Sequence, residues 1–553
     1  MDTISAAATA EKMDASAAFA PSVWGDFFVT YVPPPTQSSE EWIRERAEEL
    51  KRRVHRKFFI EDGEAIGVAK SVALVDTLER LGLGSHFRGD IAAVISRIHL
   101  AGDEYVGYDN LHVAATRFRL LRQHGLWVST GVFDKFRDDT GSFSASLSSD
   151  PRALLSLYHA AHMAVPGDAA LDDAITFARL HLESMKGELG SPMAQQIARA
   201  LDRPLTRFSR LLETMHYVSE YAQEEAHDDT LLELARLNSN LMRSLHLREL
   251  KALSLWWREL YDTVNLTYTR DRMVEIYSWS CGMLPEEEHS RARLFFAKIF
   301  GIASFHTFDV HATIDECHSL NQAMQRLDES AVSILPEYLH TLYLKTLSNF
   351  KEFGDLLEPH EKYRMSYAKK AFQLQSEYYM QEAEWTNNKY RPTFEEHIGI
   401  SGMSSGIPMF VVMALMGYDG KVATQEVFEW VSVPVPDVVR AGALIVRFLN
   451  DISSYKLGKN KKDVVSTVEC YMLEKGCTGE EAVAAIAAMT EHMWRVMNRT
   501  CMEIDRALLP AAQLVVNMAG MSEVIYLHGR DGFTFGSHAK DLVKALFLDP
   551  IPL

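Results

Sequence analysis

The chain has 553 residues, 47% of them hydrophobic and 24% charged, and a formal net charge of −18. That length can bury more than one core of ordinary domain size. The acidic balance excludes a broad basic surface for nucleic acid, so an anionic ligand has to meet local arginines or bound cations. Five cysteines (Cys281, Cys317, Cys470, Cys477 and Cys501) stand far apart with no C-x-x-C pair. They read as free thiols of a reducing compartment, not as a disulfide frame or zinc site.

In chain order, residues 1–20 are Ala-rich without a basic start, which predicts a disordered tail and no transit peptide. "VPPPTQ" (Val32–Gln37) marks a connection. Apolar residues then recur at helical spacing in "PRALLSLYHAAHMAV", "LLELARLNSNLMRSLHLRELKALSLWWREL" and "EEAVAAIAAMTEHMWRVMNRTCMEI". Strand signals are scarce. A polar break, "YAQEEAHDD" (Tyr221–Asp229), separates 21–228 from 229–553. The expectation is an all-α protein of two helical domains. The longest apolar run, "IPMFVVMALMG" (Ile407–Gly417), is shorter than the roughly 20 residues of a spanning helix. No membrane span is expected, and a soluble, cytoplasmic setting follows.

The second half carries the chemistry. "TRDRMVEIYSW" sets Arg270 and Arg272 two apart ahead of Trp279; two guanidiniums so close can fork onto a diphosphate. Taken alone, the pair fits two surface arginines equally well. "VRFLNDISSYKLG" sets Asn450 and Ser454 one helical turn apart, an amide and a hydroxyl oxygen suited to magnesium. A third ligand one further turn on falls at Gly458, which supplies none and costs about 0.8–1 kcal/mol inside a helix.

Arg-x-Arg, the following Trp, N-D-x-x-S and the C-terminal "YLHGRDGFTF" together resemble the plant terpene synthases, closest to monocot-like cytosolic sesquiterpene synthases. "PSVWGDFF" (Pro21–Phe28), "WWREL" (Trp256–Leu260) and "STVECYM" (Ser466–Met472) extend the resemblance over nearly the whole chain. It implies the terpenoid-synthase fold: an N-terminal β-type helical domain without chemistry and a C-terminal class I α-domain. It also implies farnesyl diphosphate as ligand, with geranyl diphosphate as the shorter alternative, Mg²⁺ or Mn²⁺ as cofactor, and a monomer. By the resemblance Arg270, Arg272 and Arg447 face the diphosphate. Trp279, Tyr526 and Phe533 line the pocket beside Asp531, and Ser404, Ser405 and Gly406 form a helix break whose carbonyls face the carbocation.

The family's D-D-x-x-D is incomplete in "FHTFDVHATIDE" (Phe305–Glu316), where only Asp309 matches. Trp279 and Asp309 stand about two positions closer than in the family pattern. Either two residues are deleted, or Phe305 and His306 occupy the Asp positions. The metal ligands implied are Asp309, Asn450 and Ser454, with His306 or Glu316 as possible compensation, so weakened metal binding and strongly impaired turnover are expected. The family's arginine-containing pair ahead of Trp24 is replaced by Asp14 and Ala15, which leaves closure of the site in question. "AALDD" (Ala169–Asp173) lacks the D-x-D-D acid of protonation-initiated cyclases. The readings are an impaired sesquiterpene synthase or a non-catalytic relative that binds isoprenoid diphosphates.

Overall fold

The computed structural model describes residues 21–33, 39–56, 67–102, 107–265, 269–305, 308, 312–458 and 465–549. The tail 1–20 with Asp14 and Ala15, and also His306 and Asp309, lie outside the described residues. Within them the regular structure is helical, with an isolated β-bridge between Arg137 and Phe143. The all-α expectation holds.

The long helix Asp229–Val264 organises the chain. Asp228 caps it, its carboxylate accepting from the backbone N–H of Thr230 and Leu231. Its 36 residues run about 54 Å. Leu231, Leu234 and Leu237 lie in the N-terminal core, and Leu250, Leu253 and Trp257 in the C-terminal one. The helix thus starts at the expected junction but serves both cores.

In the C-terminal domain every residue of helix Met273–Met283 is buried. Helix Ile407–Met416 is nearly so, as a helix apolar on all sides must be. Residues 394–416 together are long and apolar enough to cross a membrane by length and composition, but 72% of the most apolar 18-residue window in that stretch is buried inside the protein. Gly406, at φ +87°, breaks it in two, and a Cβ there would meet the Phe410 ring at 2.5 Å. A buried triad ties three helices: Tyr277 Oη donates to Glu249 at 2.6 Å, and Arg293 donates to both Glu249 oxygens at 2.8 Å. All five cysteines are free thiols, four of them buried.

The domains are joined by polar contacts. Arg207 donates to both oxygens of Glu491 at 2.6 and 2.7 Å, and the Asn498 amide to the carbonyls of His162 and Ala164. The acids of "AALDD" are engaged here, Asp172 with Arg495 and Asp173 with Arg137.

The N-terminal segment packs on the C-terminal core. Trp24 and Phe28 belong to that core, and the Phe28 ring meets Phe547 edge-on at 6.0 Å. Glu275, 1% exposed, sits where three segments meet: a Cβ on Gly536 would lie 2.5 Å from its carboxylate and 3.6 Å from Val23. The nearest donor to its carboxylate is the Trp24 side chain, at a geometry short of a full hydrogen bond. Burial pushes the carboxyl up to about 7, and the Arg272 guanidinium pulls the other way. A folded pKa above the unfolded value of 4.5 means the native state holds the proton longer. Stability therefore falls as pH rises through the window from 4.5 to 7, by about 3 kcal/mol at most, and levels off above it. Glu275→Gln is expected to remove that slope, checked by urea denaturation midpoints between pH 5 and pH 8; an unchanged slope refutes the assignment.

Candidate active site

The aromatic residues of the C-terminal domain gather around one ring. Phe300, in the last turns of helix Ser290–Ala303, meets Trp279 edge-on at 5.7 Å, Phe410 at 4.5 Å and Phe533 in a stack at 5.1 Å. Arg270 lies over the Phe533 ring at 5.6 Å. The Trp279 indole N–H is buried without a partner among the described residues. Such π faces can stabilise a cation in a dry pocket. Phe300 and Phe410 escaped the sequence reading, because nothing in an apolar helix says which phenylalanine faces a pocket.

The two arginines of Arg-x-Arg have different settings. Arg270 is half-buried beside the ring. Arg272, 1% exposed, donates to the carbonyls of Phe533 (3.1 Å), Asp271 (2.6 Å) and Thr534 (2.8 Å). It was grouped with the residues facing diphosphate; its described bonds go to backbone carbonyls, because it stands just before helix Met273–Met283 and turns back into the C-terminal loop. Asp531, fully buried, accepts from the Thr534 N–H at 2.7 Å in the same loop.

A polar cluster adjoins this box. Arg447 donates through Nε to the Ser401 carbonyl at 2.9 Å and through Nη2 to Ser404 Oγ at 3.2 Å, while its Nη1 lies 3.7 Å from Asp451. Ser404 Oγ donates to Glu382 at 2.8 Å. The Asn450 amide donates to Tyr526 Oη at 3.0 Å. Burial raises the Tyr526 pKa, so its hydroxyl stays protonated at neutral pH. The Ser404–Gly406 break is present. Two of its carbonyls have donors already, Gln375 on Ser404 and the Phe410 N–H on Gly406, and just before the break the Ser401 carbonyl takes the Ser405 N–H and Arg447. Ser405 Oγ lies 3.4 Å from the Ile407 N–H.

Glu382 is the carboxylate that reading the two motifs alone left out. Gln375, Tyr379 and Glu382 repeat at four and three residues along helix Arg364–Asn387, one face of a helix, which is the signal that could have found it.

The metal-ligand expectations fare unevenly. Asp309 and His306 lie outside the described residues. Glu316 forms a capping box, accepting from Thr313 N–H at 2.8 Å and Oγ1 at 2.9 Å, so its carboxylate is already engaged. Phe305 is 2% exposed and packs on Trp257. Helix Asp437–Lys456 ends before Gly458, which takes φ +63° with open space around it. Gly458 is thus a stop signal after the helix and not a flaw inside it. Ser454 Oγ is buried without a partner among the described residues. Asn450, one turn earlier on the same helix, and Glu382, bonded to Ser404, carry oxygens of the hard kind that magnesium or manganese takes. No group of three His, Cys, Asp or Glu able to hold a metal occurs among the described residues.

Comparison with known proteins agrees with this arrangement. The family model "Terpene synthase family, metal binding domain" matches residues 258–496, and "Terpene synthase, N-terminal domain" matches residues 23–201. Eudesmanediol synthase of Zea mays is 62% identical over 96% of both chains. Alpha-copaene synthase of Zea mays is 44% identical over 96% of this chain and 99% of its own. Among solved structures, isoprene synthase of grey poplar (Populus x canescens), in complex with three Mg²⁺ ions and dimethylallyl-S-thiolodiphosphate, superposes with a TM-score of 0.82. That chain is 29% identical, with 92% of this chain and 98% of it covered. The family implies dependence on a divalent metal. The chain belongs to the terpene synthase family, among relatives that are sesquiterpene synthases.

Proposed function

We propose that this chain is a cytoplasmic sesquiterpene synthase that ionises farnesyl diphosphate and cyclises the carbocation, with weakened capture of Mg²⁺ or Mn²⁺. The observation that carries the reading is a cationic, oxygen-rich cluster beside an aromatic box: Arg270 lies over Phe533 and within electrostatic reach of Tyr526, which Asn450 bonds. The eudesmanediol and alpha-copaene synthases support it by name, and the poplar enzyme by its magnesium complex.

A bound divalent ion supplies Lewis-acid assistance to the departing diphosphate; Asn450, Ser454, Glu382 and Asp309 are the residues that would hold it. The chain's own groups do the rest. Arg447, oriented by the Ser401 carbonyl and Asp451, and Arg270 place positive charge where diphosphate leaves. Trp279, Phe300, Phe410 and Phe533 exclude water and offer π faces to the cation. Asp309 stands alone where the family motif has three aspartates. A deficit of about 4 kcal/mol in transition-state stabilisation corresponds to turnover about a thousandfold slower.

The non-catalytic reading has one specific observation in its favour, the lack of a carboxylate at Gly458 beyond the helix end.

Gas chromatography–mass spectrometry of farnesyl diphosphate incubated with the protein and Mg²⁺ or Mn²⁺ is expected to show slow sesquiterpene formation. Glu382→Gln is expected to lower kcat/KM about a hundredfold, a loss of about 2.7 kcal/mol, and to raise the metal concentration required. No product with either metal, together with a thermal shift by farnesyl diphosphate that Arg447→Gln abolishes, would establish the binding protein instead. Gly458→Glu alone is expected not to restore a normal rate. It puts a side chain at φ +63°, destabilising the fold by about 1–2 kcal/mol, and it lies past the helix that would have to aim it; recovery of normal turnover in that variant overturns this account.

A further inference from the structure

A sizeable cavity lies away from the aromatic box. It lies in the cleft between the domains, with a volume of about 670 Å³, within the range of small-molecule sites. Helix Arg210–Tyr221 and the middle of helix Asp229–Val264 form one side, and the segments Pro285–Glu288 and Arg506–Gln513 the other.

Its charges are unevenly committed. Asp76 pairs with Arg119, Glu213 with Arg80 and Arg199, Glu287 with Arg44, and Glu288 with Arg88. Glu79 and Glu286 are bonded to the imidazoles of His124 and His289. Of the lining carboxylates only Asp549 has no basic partner among the described residues, whereas Arg210, Arg243 and Arg506 form no hydrogen bond or ion pair through their side chains there. Glu79 and Glu286 lie within electrostatic reach of Arg210 but do not bond it. Arg210 is the first residue of its helix, the end where a cation is least favoured and a bound anion most favoured. His246, 1% exposed, also lines the cavity, and its Nε2 has no partner among the described residues. Burial holds this imidazole well below its ordinary pKa, so it is a neutral group with an open hydrogen-bonding position. Beside these stand partly buried apolar side chains, Phe208, Leu211 and Leu509.

We propose that this cleft is a second, non-catalytic site for an amphiphilic organic phosphate, its phosphate held by Arg210, Arg243 and Arg506 and its hydrocarbon lying on Phe208, Leu211 and Leu509. These arginines come from three separate elements, and all three line one cavity that also holds a buried imidazole with no partner on its Nε2 among the described residues. A guanidinium suits this task because it forks onto phosphate oxygens and sheds water more easily than an ammonium. The ligand touches both domains, so binding stiffens the cleft.

The test is calorimetric titration of the full chain with octyl phosphate below its micelle concentration, with EDTA present to keep metal out of the catalytic pocket. Expected is one site whose affinity falls at least tenfold in the double variant Arg243→Gln/Arg506→Gln and stays within twofold in Arg447→Gln. The double variant should keep the wild-type thermal midpoint and sesquiterpene output, since neither arginine belongs to the catalytic cluster. Leu211→Gln is a second variant that leaves the phosphate contacts in place: it should weaken octyl phosphate but not inorganic phosphate. Absence of binding at millimolar octyl phosphate overturns the proposal. So does loss of binding in Arg447→Gln with retention in the double variant, which would place the ligand in the catalytic pocket. Equal affinity for inorganic and octyl phosphate overturns the amphiphile assignment.

Discussion

Everything at the aromatic end of the catalytic domain depends on the grip of Arg272 on the carbonyls of Phe533 and Thr534. The loop after Tyr526 has no helix of any length to satisfy its backbone, and it crosses a buried surface. Carbonyls in that setting need donors, and leaving one unmet costs about 1–3 kcal/mol. One guanidinium meets two of them, while Asp531 accepts the Thr534 N–H from the other side. The consequence is positional: Phe533 is fixed against Phe300 and beneath Arg270. The same guanidinium lies beside Glu275 and so ties the loop to the N-terminal segment at Trp24. Two arginines that look equivalent in "TRDR" thus divide the work, one holding backbone and the other placed over a ring.

The polar end is set by a second buried charge. Asp451, 1% exposed, accepts from Thr467 N–H and Oγ1, both at 2.7 Å, and faces Arg447. Those bonds fix the rotation of helix Asp437–Lys456, and with it the direction of Asn450 and Ser454. They also set the local charge. Arg447 lies between the carboxylates Asp451 and Glu382, and its positive charge is partly balanced before any ligand arrives. An anion arriving there therefore gains less from Arg447 than its full charge suggests.

How much of this was legible in the sequence follows from what each signal encodes. Helical periodicity was enough for the all-α fold, because local spacing determines it, while the cap Asp228 at the start of the long helix came only with the structure. That the helix would serve two cores was not legible, since shared packing is a long-range property. The capping role of Glu316 was legible in T-x-x-E, and the ligand reading overlooked it. Gly458 was placed in a helix because the turn-by-turn count runs on to it; the structure stops the helix at Lys456, and a glycine at positive φ is the usual reason. Glu382 was legible only as one face of a helix with no motif around it. Phe300, at the centre of the aromatic box, left no trace because core and pocket phenylalanines look alike in sequence.

The incomplete aspartate motif has a structural correlate. Helix Ser290–Ala303 ends just before Phe305, which turns into the core against Trp257 with ring centroids 5.5 Å apart. Phe305 also lines a small hollow of about 50 Å³ together with apolar Ile302, Phe308, Leu320 and Met324 and polar Thr346, Gln375, Ser376 and Tyr379. In this chain position 305 is a core position, and an aspartate substituted there would forfeit the Trp257 contact. Burial of Phe305 also draws the chain inward where the motif should begin. What the described residues show at the start of this segment is apolar packing, with Phe305 joined to the core of the C-terminal domain.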